Sequence, residues 1–265
     1  MDQEFIQNDF IDVESVFIRH RNCLLLRAEF SPVFTDYYLH LMQHGLRHEE
    51  TLDSDLKKVM AYFMLHLVSR PWAEYHAWTL NLKRPVVANI FVSGSSLTKS
   101  VVARAFTEDV RVPDENMLYA QMIRDGKQPQ TSVIILHGDT PEHWVEDYYA
   151  QSEQRPARCF DLGDDRFALL AAQPDADLDW LRAATDETIR LIEEQEETRI
   201  LETRRFRFYC GCSVDKILPA LRAMKGNLAD LLSERGNIEV TCPRCAAAYR
   251  ITTDMLNPPD SPAAT

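Results

Sequence analysis

Four of the six cysteines in the 265-residue chain fall into two close pairs, Cys210-Gly211-Cys212 and Cys242-Pro243-Arg244-Cys245, with 29 residues between them. Two short thiol-bearing turns brought together by an intervening fold supply the tetrahedral sulfur set that Zn²⁺ prefers. In a reducing compartment such pairs bind metal or cycle between redox states more often than they form static disulfides. The second pair has the spacing of a zinc-ribbon half, and the first is tighter because only Gly211 separates its thiols. Residues 206–256 are too few for an apolar core to be dependable on its own. A structural zinc contributes on the order of 10–16 kcal/mol, so the fold of this module is expected to depend on one Zn²⁺ held by Cys210, Cys212, Cys242 and Cys245.

A closed four-thiolate set leaves no open coordination position, which argues against a hydrolytic metal centre. The deaminase pattern fails as well, because Pro243 follows the first cysteine of its pair and His143 is followed by Trp-Val-Glu. Metal-bound thiolates stay deprotonated and open to oxidants, which can form a disulfide within each pair and eject the metal. That chemistry alone does not separate a redox sensor from a structural zinc site that is oxidisable.

The elements that must carry this module are legible in the periodicities. Residues 14–30 mix alternation with an apolar run and read as one or two strands. Thr35 is placed to cap a short helix ended by Gly45, and Leu56, Val59, Met60, Phe63 and Leu67 line one face of a helix from Asp53 that Pro71 stops. Residues 76–136 read as a β meander of five strands with turn signals such as Ser93-Gly94-Ser95 and Asp125-Gly126. Thr140-Pro141-Glu142 opens a helix running to about Glu153, and two short strands, ARCFDL and RFALLAAQ, follow.

Composition breaks at Pro174. Residues 175–202 carry ten acids against three bases, with a narrow apolar stripe that includes Leu178, Leu181, Ile189 and Ile192, the pattern of a helix docked by one edge. Residues 204–250 reverse the sign, with nine bases against four acids. The tail 257–265 is Pro-rich and is expected to be disordered. The whole chain has a net charge of −12 and 45% hydrophobic residues, which weighs against disorder and against broad nucleic-acid binding. The opening MDQEFIQNDF has no basic and apolar leader, and no apolar run reaches the length of a membrane span, so a cytoplasmic location and no membrane partner are expected.

Other candidate residues have plainer readings. His40, His44 and His48 recur at helical spacing, but Gly45 ends the helix before His48, leaving a polar helix edge. Cys23 and Cys159 lie in apolar strands and read as buried thiols. Ser95, Ser96 and Lys99 lack phosphate-loop spacing and read as a hairpin turn. Ser152, Glu153 and Gln154 read as a helix end packed on the core. Phe206, Phe208, Tyr209 and Tyr249 among the bases leave a zinc-ribbon interaction or nucleic-acid-binding module without redox switching as the alternative function.

With its C-x-C and C-x-x-C pairs at this spacing and the stretch GDTPEHWVEDYYAQSEQRPARCF (Gly138 to Phe160), the chain resembles the heat shock protein 33 family of redox-regulated chaperones. Weaker likeness runs through Phe17, Arg19 and the helix from Asp53. The resemblance implies no enzyme, but a holdase that works without ATP. Reduced protein would hold zinc through the four cysteines. Oxidation would form two disulfides, release zinc and unfold the linker and the C-terminal module, and the active form would bind unfolding client proteins and dimerise. The chain departs from the family in a shortened linker, IEEQEETRILETRRFRFY, and in LNLKRPVV where a Gly-Asp-Gly-Pro turn would fall.

The expected architecture is α+β in four parts: a β-rich core with helices (1–174), a charged helical linker (175–205), a zinc-binding switch module (206–256) and the tail (257–265). Leu178, Trp180, Leu181, Ile189, Leu191 and Ile192 are the expected client contacts.

Overall fold

A computed structural model describes residues 10–223 and 237–256. The described part is built on a ten-stranded sheet in the order β7-β6-β3-β4-β5-β10-β1-β2-β9-β8, with a separate hairpin β11-β12. The strands β1 (Ile11–Ile18) and β2 (Cys23–Glu29) lead into α1 (Ser31–Gln43) and α2 (Glu50–Val68). Then come β3 (Glu74–Leu82), β4 (Ala88–Ser95), β5 (Ser100–Phe106), β6 (Met117–Arg124) and β7 (Gln130–Ile135). Helix α3 (Pro141–Gln151) precedes β8 (Ala157–Asp161) and β9 (Arg166–Ala172).

Strict alternation makes β3 a half-buried strand, with Trp78, Leu80 and Leu82 turned into the main core. Helix α2 begins where the Glu49 side chain accepts from the Leu52 amide, and it is buried along most of its length, including all of Val59–Val68. It is the central helix of the core, packed against β4, β5, β9 and α3. Thr140 caps α3 by accepting from the His143 amide, with Pro141 in the first turn, as its sequence predicts.

Four readings of local sequence are corrected. Helix α1 starts at Ser31 with Pro32 in its first turn, and Thr35 donates to the Ser31 carbonyl instead of capping. Ser93-Gly94-Ser95 is not a turn but the end of β4; a Cβ on Gly94 would lie 2.5 Å from the Ser100 carbonyl oxygen, so the glycine allows β5 to approach. The five strands are not a simple meander, because β6 crosses back to pair with β3, placing four strands in a Greek-key order.

The fourth correction concerns the acidic segment. Its expected single helix is three short ones, α4 (Leu178–Ala183), α5 (Asp186–Arg190) and α6 (Ile192–Gln195). The break falls at Ala184, which is extended, and at Thr185, which opens a capping box with Thr188. Beyond them Thr198–Phe208 is strand β10, not the end of a helical linker. It inserts between β1, to which it is antiparallel, and β5, to which it is parallel. A period-two pattern explains it: Arg204, Phe206 and Phe208 point inward while Arg205 faces out, a signal that the charge count obscures.

Arg204 is buried because it serves the end of α2, donating to the carbonyls of Leu67 and Arg70 and to Ser96 Oγ, with Glu202 as its counter-ion. The remaining elements are α7 (Val214–Ala223), β11 (Asn237–Thr241), β12 (Ala248–Thr252) and α8 (Thr253–Leu256), which share a small core of Leu221, Ile238, Ile251 and Leu256. The tail 257–265 lies outside the described residues.

Candidate metal centre

The first thiol pair follows directly from the end of β10. Gly211 takes φ +68°, a left-handed conformation that lets a three-residue turn aim Cys210 and Cys212 the same way. The second pair sits on the loop between β11 and β12. That loop is closed by the Cys242 amide donating to the Ala247 carbonyl at 2.8 Å and the Ala246 amide donating to the Cys242 carbonyl at 2.9 Å.

All four sulfurs lie within 4.8 Å of one another, and none is in a disulfide. Cys210 Sγ is 3.7 Å from Cys242 Sγ, and Cys212 Sγ is 3.5 Å from Cys245 Sγ. Four sulfurs at the usual ~2.3 Å from a tetrahedral zinc stand about 3.8 Å apart, so the donor set fits a metal of that size and preference. Among the described residues this is the one such cluster of three or more ligating side chains.

The centre leans on the core. Cys242 (6% exposed) and Cys245 (2%) belong to the main apolar cluster, together with Ala247. Arg104, on β5, donates to the Cys242 carbonyl at 3.0 Å, and His40, on α1, lies 2.7 Å from the Cys245 carbonyl through Nε2. Arg244 donates to Ser93 Oγ on β4 at 3.3 Å. Phe208 packs between Tyr37 and His40, tying the strand before Cys210 to α1. Cys210 and Cys212 are only half-buried.

Tyr249 donates to both the carbonyl and the sulfur of Cys212 at 3.0 Å. Hydrogen bonds from Cys210, Cys245 and Tyr249 hold Cys212 well below the ordinary thiol range. Cys210 is pushed up to about 12, first by its hydrogen bond with Cys212, and Cys245 is also raised, first by Cys210. Four thiols this close cannot all ionise without a cation among them.

The structure thus brings together all four cysteines read from the sequence. It also adds His40, Arg104, Arg244 and Tyr249. His40 was visible as one of three helically spaced histidines, but its ring bonds a carbonyl and is no ligand; Arg104 carried no sequence signal. Cys23 on β2 and Cys159 on β8 are buried and do not join the four-sulfur cluster, with burial pushing Cys23 up to about 11 and Cys159 well above the thiol range. Glu153 forms an ion pair with Arg70 at 2.7 Å and accepts from Tyr148, so it braces α3 against α2. Arg205 and Arg207 stack over Phe10, and Arg207 also over Tyr209, so these aromatic and basic groups already serve one another within the chain.

The expected client contacts are covered. Leu181, Ile189 and Ile192 are buried against Val16, Ile18, Leu25 and Leu170, with Leu178 and Trp180 partly buried on the same cluster and Leu191 half-buried. Arg21 binds Asp177 and Glu196 across this interface, and Arg27 binds Glu193.

A large sheet with a four-thiol centre at its C-terminal side, preceded by short charged helices, defines a mixed α/β protein whose four clustered cysteines are arranged to hold a metal ion. The family model described as Hsp33 protein matches residues 116–252, and the chain belongs to that family. Its relatives are named chaperonins, not enzymes. The 33 kDa chaperonin of Edwardsiella ictaluri is 29% identical over 162 residues, covering 50% of this chain and 55% of that protein. The 33 kDa chaperonin of an Enterobacter species is 27% identical over 177 residues, covering 57% of each. The chain thus spans about half the length of the curated relatives it matches. The crystal structure of the Hsp33 homologue from Thermotoga maritima superposes with a TM-score of 0.68 at 15% identity, covering 94% of this chain and 97% of that one, and shares the fold. Among the described residues no helix is long and apolar enough to cross a membrane.

Proposed function

We propose that the chain is a cytoplasmic holdase that works without ATP and is switched on by oxidation. The observation that carries this reading is the four-sulfur cluster at tetrahedral separations, joined through β10 to helices that cover apolar sheet surface. Zn²⁺ bound there would hold the four sulfurs as thiolates and cross-link the two turns. Peroxide converts each pair to a disulfide: two thiolates give up two electrons, one peroxide O–O bond breaks, and two hydroxides leave. A site without thiolates no longer holds the metal.

The small core of Leu221, Ile238, Ile251 and Leu256 is too slight to keep the module folded by itself. The end of β10 then loses its anchor, since its ladder with β5 consists of Arg207 opposite Ser100 and Phe208 opposite Val101. Helices α4–α6 are held by a few buried side chains, each contributing about 1.5–3 kcal/mol, and by ion pairs worth up to ~1 kcal/mol each at this exposure. Releasing them bares Leu178, Trp180, Leu181, Ile189, Leu191 and Ile192 together with Val16, Ile18 and Leu25, a surface for unfolding clients and for a second oxidised copy. The partners are proteins, and binding of RNA or DNA at low salt would count against this assignment.

Cys242→Ser and Cys245→Ser are each expected to weaken zinc binding and to uncouple suppression of client aggregation from peroxide. Unchanged peroxide-dependent activation in both variants refutes the proposal.

A further inference from the structure

Strand β7 is one outer edge of the ten-stranded sheet and pairs only with β6. Just past both strands the Leu136 amide donates to the Asn116 carbonyl at 2.9 Å, and that bond fixes the phase of the ladder. Hydrogen-bonded and non-hydrogen-bonded positions alternate along an antiparallel pair. Ile134 and Ser132 therefore bond to β6, whereas the main-chain groups of Thr131, Val133 and Ile135 point away from the sheet. Among the described residues these groups meet one partner, Gln151, whose Nε2 donates to the Ile135 carbonyl at 2.8 Å. The side chains of the same residues are exposed, Val133 by 54% and Ile135 by 44%. Tyr119 and Met117 of β6 stand opposite these two, and Ile123 further along β6 is exposed as well.

Sheet edges are ordinarily guarded by charge, proline, a bulge or a covering element, because they template pairing with other chains. Gln130–Ile135 reads Gln-Thr-Ser-Val-Ile-Ile, with no charge, proline or glycine, and its register with β6 has no bulge. Short uncharged segments of this composition are those that add strands readily. The free groups also specify what fits them. Donors and acceptors recurring at every second residue along a line are matched by the main chain of an extended strand. Residues 257–265 do not supply one, since Pro258, Pro259 and Pro262 cannot donate. Residues 1–9 lead into Phe10 beside β1, six strands across the sheet from β7. At about 4.8 Å per strand the crossing is roughly 29 Å, the whole reach of that segment when extended.

We infer that β7 is a standing binding edge for extended, β-prone segments of unfolding proteins, which add to the sheet as a further strand before any oxidation. The partner class comes from the function proposed above, and no switch is needed. Recognition through the main chain is indifferent to client sequence. Three residues of free edge give short-lived binding, so full suppression of aggregation still awaits the larger surface beneath α4–α6.

The test is fluorescence anisotropy of a capped, labelled peptide, Lys-Thr-Val-Thr-Val-Thr-Val-Glu, titrated with the reduced, zinc-loaded, full-length chain. The peptide should bind, and the same peptide N-methylated throughout, which keeps its side chains and loses its donors, should not. Val133→Pro removes a donor that β6 does not use and should weaken binding about fivefold, the loss of one hydrogen bond of ordinary strength. Val133→Lys leaves every main-chain group in place but guards the edge with charge, and should weaken binding too, with Val133→Thr behaving as wild type. Gln151→Ala frees the Ile135 carbonyl and should tighten binding by up to about fivefold. Zinc content and the urea midpoint of each variant show that it is folded. Equal binding of the methylated peptide, or unchanged binding in both Val133→Lys and Gln151→Ala, overturns the inference. It is also overturned if Val133→Lys dissociates a dimer of the reduced chain without affecting the peptide, because the edge is then an interface between copies. The rise in client capture on peroxide should persist in every variant. Its absence in wild type that still binds the peptide removes the switch and leaves the edge standing.

Discussion

His66 gives the core a pH dependence whose size follows from where it sits. It is fully buried on α2, its ring edge-on to His76, Tyr148 and Tyr149, with Nδ1 3.2 Å from the Tyr149 hydroxyl and Nε2 3.4 Å from that of Tyr148. Burial holds it well below its ordinary value of 6.5, and the nearby His76, Arg70 and Arg155 push the same way. The unfolded chain therefore takes up a proton near pH 6.5 that the native chain refuses. Stability from this group is present above pH 6.5 and is lost as pH falls below it. Where the native ring stays neutral, the cost is RT ln(1 + 10^(6.5 − pH)), about 0.2 kcal/mol at pH 7 and about 2 kcal/mol at pH 5.

Comparing wild type with His66→Gln by urea unfolding at both pH values isolates the effect. His76, also lowered by burial, and Asp55, which burial pushes up to about 6 and which acts in the opposite sense, occur in both proteins and cancel. Wild type should lose about 2 kcal/mol more than the variant between pH 7 and pH 5. Equal losses refute the placement of a neutral His66 in the core.

Two further outcomes are expected. Arg204→Met removes the donor shared by the carbonyls of Leu67 and Arg70 and leaves the Glu202 carboxylate with the Trp72 indole N–H but without its counter-ion, and should lower stability by about 2–4 kcal/mol in chemical unfolding. Ile189→Ala removes buried contacts between α5 and the sheet, a loss of about 2–4 kcal/mol; it should raise client capture before peroxide is added and cut the further rise on oxidation, read by light scattering of an aggregating client.

The elements with a clear period were legible in the sequence. Trp78, Leu80 and Leu82 alternate, and the stripe from Leu56 to Leu67 marks a helix, because both patterns report burial against one neighbour. The four clustered cysteines were legible because close thiol pairs have few other uses. What could not be read is long-range. Residues 198–205 look like the tail of a charged helix because Arg204 is an inward residue that counts as a surface charge until Leu67, Arg70 and Ser96 are placed around it. The partners of the thiol centre are similarly scattered, with His40, Arg104 and Tyr249 coming from three separate elements. Gly94 reads as a turn residue, and only the pairing of β4 with β5 shows that it makes room for Ser100. The expected boundary between residues 205 and 206 falls inside β10, so charge reversal marks a change of surface there and no break in structure.

The central claim is that metal, thiols and client binding change together. Zinc released to a chromogenic chelator, free thiols and light scattering of a heat-denaturing client should be followed in the same samples of reduced protein before and after peroxide. The account predicts that one zinc leaves, the four thiols of Cys210, Cys212, Cys242 and Cys245 disappear while Cys23 and Cys159 persist, and client aggregation is then suppressed. Zinc that stays bound while aggregation proceeds unchecked would contradict it, leaving a structural metal centre on a sheet that never opens.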